Sequence, residues 1–262
     1  MTERRTEPVR AITKACRILD ALAEGKRALT LGEIADATGF AKSTAHGLLS
    51  SMRNCGLVEQ DTAGRYALGV RLFEYGSAVS STRNIITLSR EPMQALVDVT
   101  NESASLTMLD RGEALVLAHA EADSSFHIVS ETGAHLPSFC TAQGKVLLSS
   151  LPDASVKHIF EMHKTAYTPH TLADADALLS EIKAVRERGY AIENGEFKIG
   201  IRGVAAPIRD YHGEIRYAVG LIGMFRRVDS DEFRNAAAEV LKAAAVISEA
   251  LGYRENGSKV LL

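Results

Sequence analysis

The 262-residue sequence has no tryptophan, only three cysteines and six prolines, and no hydrophobic run long enough to cross a bilayer. Each scarcity excludes something. The longest apolar stretches, such as Ala218 to Phe225, fall far short of the roughly 20 residues a membrane helix needs. The start, MTERRTEPVR, mixes both charge signs around no apolar stretch, unlike a signal or transit peptide. A cytoplasmic protein without a membrane partner is therefore expected. Cys16, Cys55 and Cys140 are odd in number and widely spaced, which argues against a disulfide framework or structural zinc site. Few prolines, with 46% hydrophobic and 24% charged residues, exclude disorder and low complexity.

Charge of one sign is also lacking. The net charge is −3; residues 1 to 75 carry 11 Lys+Arg against 9 Asp+Glu, and the remainder 19 against 24. A basic footprint for nucleic acid is normally stronger and more clustered, so composition alone does not establish DNA binding. Signatures of catalysis are missing too: there is no HExxH, G-x-S-x-G, P-loop or G-x-G-x-x-G, and His158, His163 and His170 have no ligand spacing. No enzyme, metal or cofactor is expected. Cys140 with His135 nearby has the residue types of a nucleophile and base, but such pairs are common. An enzyme fused to a DNA-binding module and a ligand-independent DNA-binding protein are the alternatives to weigh.

The length suggests two domains. From Ala11 to Glu24, Ile12, Ala15, Cys16, Leu19, Leu22 and Ala23 recur at helical spacing, and Gly25 ends the helix. Thr30, with Glu33 three residues on, has the pattern of a capping box for a short second helix that Gly39 stops. A third begins near Lys42 with Ala45, Leu48, Leu49 and Met52 on one face, and Ser43, Thr44, His46, Gly47 and Ser50 on the other. Two short helices around a tight glycine turn match helix-turn-helix geometry, the second being the recognition helix. Leu57 to Gln60, the turn Asp61-Thr62-Ala63-Gly64 and Arg65 to Leu68 then read as a β-hairpin, the wing.

Val70 to Ser80 and Asn84 to about Thr100 read as linker helices, with a break or kink at Pro92, and Leu72, Phe73 and Tyr75 offer packing against a second subunit. Strands are expected at Ala104 to Leu109, Glu113 to His119 and Phe126 to Ser130. Helices follow at Gly144 to Leu151, Ser155 to Met162 and Ala175 to Arg188, then strands at Tyr190 to Glu193, Val204 to Ile208 and Tyr217 to Ile222. A last helix, Glu232 to Leu251, carries Phe233, Ala237, Val240, Leu241, Ala244, Ile247 and Leu251 on one stripe, with Gly252 as its stop. The fold class is therefore α+β. A winged helix-turn-helix (1–75) and linker helices (76–100) precede a domain (101–262) with an antiparallel sheet and flanking helices, able to enclose one small ligand.

Several of these stretches together resemble the IclR (isocitrate lyase regulator) family of bacterial transcription factors. They are Leu31 to Met52 with its Lys42-Ser43-Thr44 start; the wing Gly64-Arg65-Tyr66-Ala67-Leu68-Gly69; Gly133-Ala134-His135-Leu136-Pro137 leading to Thr141-Ala142-Gln143-Gly144-Lys145; and Arg186 to Tyr190, Glu193, Gly195 to Phe197 and Gly200 to Ile208. The resemblance implies a ligand-responsive regulator, commonly a repressor, whose second domain is GAF-like. Its implied partners are double-stranded operator DNA and a small organic-acid effector, in a homodimer or a dimer of dimers. The sequence departs from the family at Gly203, where Cys is frequent, at Gly220-Leu221-Ile222-Gly223, which replaces a Ser-containing strand, at Phe139-Cys140, and at Gly47, where many relatives carry Arg.

On the DNA side, Ser43, Thr44 and His46 are short polar groups at the base-reading end of the recognition helix, beside Gly47. Lys42, Arg53 and Arg65 suit phosphates, although an ordinary solvated face gives the same pattern. On the effector side, Thr141-Ala142-Gln143 opens a helix whose first N–H groups can meet a carboxylate, unless Thr141 simply caps it. The family resemblance assigns pocket lining to Ala142 and Gln143, and to Ile128, Leu136, Glu193, Ile201, Gly203, Gly220 and Ile222. The glycines are expected to leave room for an aromatic or medium-sized ligand. Its carboxylate would face Gln143 and a hydroxyl or amine donor would face Glu193.

Overall fold

A computed structural model describes residues 9–25, 27–78, 80–122 and 131–254, and the chain divides into two compact units, Met1–Ser80 and Ser81–Leu262. The strand expected at Phe126 to Ser130, and Ile128 with it, lies outside the described residues.

In the first unit, α1 (Arg10–Glu24), α2 (Leu31–Thr38) and α3 (Lys42–Asn54) are followed by β1 (Val58–Gln60), β2 (Tyr66–Leu68) and α4 (Arg71–Ala78). The Thr30–Glu33 capping box is present: the Glu33 N–H donates to the Thr30 hydroxyl, and the Glu33 carboxylate accepts from the Thr30 N–H at 2.7 Å. Gly39 then takes φ +69, the left-handed region that ends a helix cheaply only at glycine. The three helices bury Ile18, Leu22, Ile34, Leu49 and Met52 against Val58 and Tyr66 of the hairpin. Leu29 extends the hairpin by one bridge to Tyr66. Burial of each such aliphatic side chain contributes about 1.5 to 3 kcal/mol, enough for this small core to fix the angle between α2 and α3.

The second unit contains α5 (Ser80–Thr100), β3 (Ser103–Asp110), β4 (Glu113–Ala120), β5 (His135–Pro137), α6 (Ala142–Leu148), α7 (Asp153–His163), α8 (Ala175–Arg188), β6 (Ala191–Asn194), β7 (Arg202–Arg209), β8 (Ile215–Gly223) and α9 (Asp231–Ala250). Its antiparallel sheet has the order β5-β4-β3-β8-β7-β6. Strand alternation sorts the side chains. Leu106, Val204, Ala206, Ile208, Val219 and Leu221 share a core with α5 and α9, whereas Ala114, Ala205 and Ala218 pack with Ala142, Val146 and Leu147 of α6. Small residues on the α6 side let that helix lie close to the strands, and α7 and α8 complete this layer around Phe139, Phe160 and Ile182.

Two expectations are corrected, and one element was missed. The helix does not break at Pro92: α5 runs continuously through it, because Ile85, Ser89, Met93, Leu96 and Val97, buried on both sides of the proline, hold it against the core. Leu241 is not on the buried stripe of α9; it is 37% exposed, and Ala236, Ala243 and Ser248 are buried instead. The short edge strand β5 was not foreseen, since three residues with one proline give no alternation to read.

Candidate functional site

The outward face of α3 presents Lys42, Ser43, His46, Gly47 and Arg53 as exposed residues and Thr44 as half-buried, while Ala45, Leu49 and Met52 point inward. The spacing that buries one face therefore frees the other. Ala41 at the start of α3 supplies no side-chain cap, so the first N–H groups remain open to an outside acceptor. Arg53 donates to Gln60, whose amide reaches the Gly64 carbonyl at 3.1 Å, which ties the end of α3 to the wing. Arg65 is not a free cation. Its Nε lies 2.8 Å from Asp61 Oδ2, and Asp61 is held well below the usual carboxylate range by the N–H of Arg65 first, then by its guanidinium and the N–H of Ala63.

In the second unit the strand register gathers four of the expected residues, Glu193, Gly203, Gly220 and Ile222. Glu193 pairs with Gly203, Gly203 with Ile222, and Ile222 with Ser103; the next row on the same face runs Ala191, Ala205, Gly220, Ser105. Alternation places both rows beneath α6. From that helix, Gln143 Nε2 donates to Ser105 Oγ at 2.8 Å, and the Ala142 methyl lies against the position where a Cβ on Gly203 would stand. Leu136, on the opposite edge strand, is half-buried against the Ala142 and Val146 cluster. Ile201 is half-exposed just before β7 and closes the β6–β7 turn by accepting the Gly195 N–H.

Glu193 is 1% exposed. Burial first, then the neighbouring Glu196 carboxylate, push its carboxyl up to about 7, against the N–H groups of Phe197 and Ala142 and the charge of Lys145. Lys145 is equally buried; its Nζ meets Glu196 Oε1 at 2.7 Å, with Glu181 at 3.8 Å, and Arg188 holds Glu181 at 2.6 Å. Glu196 Oε2 is buried without a hydrogen-bond partner. Glu196, Glu181 and Arg188 were not expected in the site, because charges three and seven residues apart in a loop and a helix look solvated until the fold converges them on Lys145.

The helix start does not offer itself to a ligand carboxylate as expected. Thr141 caps α6 by accepting the Gly144 N–H, and the Ala142 N–H already donates to Glu193, so the protein supplies its own anion there. Nor do the glycines all leave room. A Cβ on Gly220 would stand 2.7 Å from the Val204 carbonyl oxygen and 2.8 Å from Ala205 Cβ, so this residue permits close strand packing. A Cβ on Gly203 would be 3.1 Å from the Leu221 carbonyl oxygen and 3.5 Å from Glu193. Cys140 is buried, and burial with Glu193 and Glu196 raises its thiol, the reverse of an activated nucleophile. His135 bonds Asp110 at 3.0 Å instead. Among the described residues, no cluster of His, Cys, Asp and Glu could hold a metal, and no helix is long and apolar enough to cross a membrane.

Comparison with known proteins covers both units. Residues 11–62 match the IclR helix-turn-helix domain, and residues 77–249 match the family described as bacterial transcriptional regulator IclR C-terminal. The chain is 32% identical to the HTH-type transcriptional regulator XynR of Escherichia coli strain K12, over 94% of this chain and 98% of that protein. It is 28% identical to the transcriptional repressor IclR of the same organism, over 94% and 92% of the two chains. The Thermotoga maritima IclR crystal structure matches with a TM-score of 0.72 at 28% identity, covering 92% of this chain and 98% of that one. An IclR homologue of Microbacterium hydrocarbonoxydans, complexed with 4-hydroxybenzoate, shares the fold with a TM-score of 0.83 at 21% identity, covering 92% and 98%. These families and curated relatives are transcriptional regulators, not enzymes.

Proposed function

Because the chain belongs to the IclR family of bacterial transcriptional regulators, we propose that it represses a catabolic operon and releases it when a small organic acid binds the second unit. In this reading residues 1–75 hold the operator, 76–100 link, and 101–262 sense. Thr44, with Ser43 and His46, reads base edges from the exposed face of α3, while Lys42 and Arg53 meet phosphates. A palindromic operator needs two such helices about one turn apart, so the protein works as a homodimer or dimer of dimers. The exposed Phe73 and Tyr75 of α4 supply part of that contact.

The observation that carries the sensing half is the row Glu193, Gly203, Ile222 under α6, with the Gln143 amide and Ser105 hydroxyl 2.8 Å apart beside it. It offers an acceptor at one end and two donor groups at the other, with apolar surface between. That pattern suits a hydroxy acid of aromatic, hydroxybenzoate-like type. Its carboxylate lies toward Gln143 and Ser105, and its hydroxyl donates to Glu193. The 4-hydroxybenzoate complex of the Microbacterium protein is in keeping with this chemistry.

The test pairs operator binding with calorimetry. Thr44→Ala should lose the roughly 1 to 3 kcal/mol of one base contact on the operator and almost nothing on random DNA. Titration of the intact protein with hydroxybenzoates should give heat that disappears in Gln143→Leu and should release bound operator. Heat unchanged in that variant would move the effector site elsewhere.

A further inference from the structure

The cations of the first unit divide into two groups. Arg27 is paired with Glu33 at 2.7 Å and Arg65 with Asp61 at 2.8 Å. Among the described residues, Arg10, Lys14, Arg17, Lys42, Arg53 and Arg71 form no ion pair with an acid. Three of these stand at positions 10, 14 and 17 of α1, a spacing of four and three that lines up one helix stripe. The stripe ends on the turn between α2 and α3. Arg17 donates to the Thr38 carbonyl at 2.6 Å and lays its guanidinium 4.8 Å from the Phe40 ring centroid, while Lys14 Nζ stands 5.7 Å from the same ring. Phe40 is only half-buried and lies two residues before Lys42, the first residue of the recognition helix.

We propose that Arg10, Lys14 and Arg17 form a phosphate clamp on α1 that grips the DNA backbone beside the groove read by α3. This inference rests on the proposed operator binding and adds an element to it. The Phe40 ring and Thr38 carbonyl hold the Arg17 side chain in one place, so little rotamer freedom is left to lose when a phosphate oxygen binds its remaining N–H groups. Cation–ring attraction leaves the positive charge uncancelled, unlike the carboxylate partners of Arg27 and Arg65. A duplex is the occupant this chemistry favours, because unpaired like charges at about one-turn spacing along a helix repel one another until an anionic chain neutralises them. Residues of the first helix thereby join Lys42 and Arg53 as backbone contacts, and the acid-paired Arg65 does not.

The experiment is a salt titration of operator and random-DNA affinity with the full chain. The double variant R10Q/K14Q is used because neither side chain makes a hydrogen bond among the described residues, which separates charge from folding. Each phosphate contact removed should lower the slope of log affinity against log salt by about 0.9, so the double variant should lose about 1.8 on both DNAs. Between 50 and 200 mM salt its affinity should therefore fall about twelvefold less than that of the wild type. Arg17→Lys, which keeps the charge but not the forked geometry, should retain the slope and weaken affinity severalfold. An unchanged slope in a double variant that still binds its operator would overturn the clamp while leaving operator binding intact. The same result with weakened self-association would assign the stripe to a second copy of the chain. A wild type with no operator preference would instead overturn the proposed function.

Discussion

The two units handle charge in opposite ways. In the first, cations stand on the surface, several of them unpaired, and two of the carboxylates serve as caps: Glu33 on α2 and Asp61 on the wing turn. In the second, Lys145, Glu193 and Glu196 are buried almost completely between α6 and the sheet, and each depends on the others. A surface that meets a polyanion works through charges left uncompensated until the partner arrives. An interior that recognises a small molecule must satisfy its charges beforehand, because an unpaired ion in a dry core costs several kcal/mol. The same side-chain types are thus left unpaired in one unit and used as framework in the other.

The sharpest way to break this contrast is to unpair a framework charge. Glu196→Ala removes the nearest ion-pair partner of Lys145, whose side chain is 1% exposed, and leaves Glu181 at 3.8 Å and the more weakly coupled Glu193. Removing one partner of a buried pair costs about 3 to 5 kcal/mol, so the second unit should lose most of its stability. Calorimetry should show its transition lowered by about 6 to 20 degrees, at about 2 to 4 degrees per kcal/mol for a domain of this size. Replacing both partners, Lys145→Met with Glu196→Leu, should recover much of the loss. A single variant as stable as the wild type would mean that water or Glu181 serves Lys145 well enough on its own.

A second test titrates the framework. Glu193 is raised from its ordinary value to about 7. The folded state therefore binds a proton that the unfolded chain has released, and stability falls as pH rises from about 4.5 to 7, then stays level. At 1.36 kcal/mol per unit, the loss is at most roughly 3 kcal/mol. Glu102, half-buried, is raised to about 7 by burial and by Glu232, so the measurement belongs in an E102Q background. There, Glu193→Gln should flatten the remaining slope of unfolding free energy between pH 5 and 7. The proposed hydroxyl-bearing ligand donates to the ionised carboxylate, so its affinity should rise across the same interval in the parent and not in the variant. A slope that survives Glu193→Gln would place the responsible carboxyl elsewhere.

How much of this was readable in the sequence follows from the same contrast. The exposed face of α3 was legible because a single helix settles it: once Ala45, Leu49 and Met52 are inside, Ser43, His46 and Gly47 must be outside. The row Glu193, Gly203, Ile222 was reached only through family resemblance, since its members are up to 29 residues apart and only strand register unites them. What the sequence misjudged were the contacts of atoms. The Arg65–Asp61 pair, the Ala142 N–H on Glu193 and the crowding at Gly220 each depend on a few ångströms that no spacing encodes.

The smallest effect sharpens the surface side of the comparison. Gly47 sits in the middle of α3 with exposed, ordinary helical backbone, and a Cβ placed on it meets nothing within 4 Å. Glycine in a helix interior costs about 0.5 to 1 kcal/mol relative to alanine through the freedom it loses on folding. With no clash to offset that gain, Gly47→Ala should stabilise the first unit by about that amount, a rise of a few degrees in its transition, and leave the second unit untouched. Random-DNA affinity should not change, because no charge is added. The operator decides what the glycine is for. If α3 lies close enough to the groove floor that only a hydrogen fits, the alanine variant is more stable yet binds the operator more weakly, and Gly47→Arg fails as well. If the face stands clear, operator affinity holds in the alanine variant, and Gly47→Arg tightens binding to all DNA with a salt slope steeper by about 0.9. A destabilised alanine variant would contradict the open surroundings of Gly47 and the reading of α3 as a helix whose outer face is kept free for a partner.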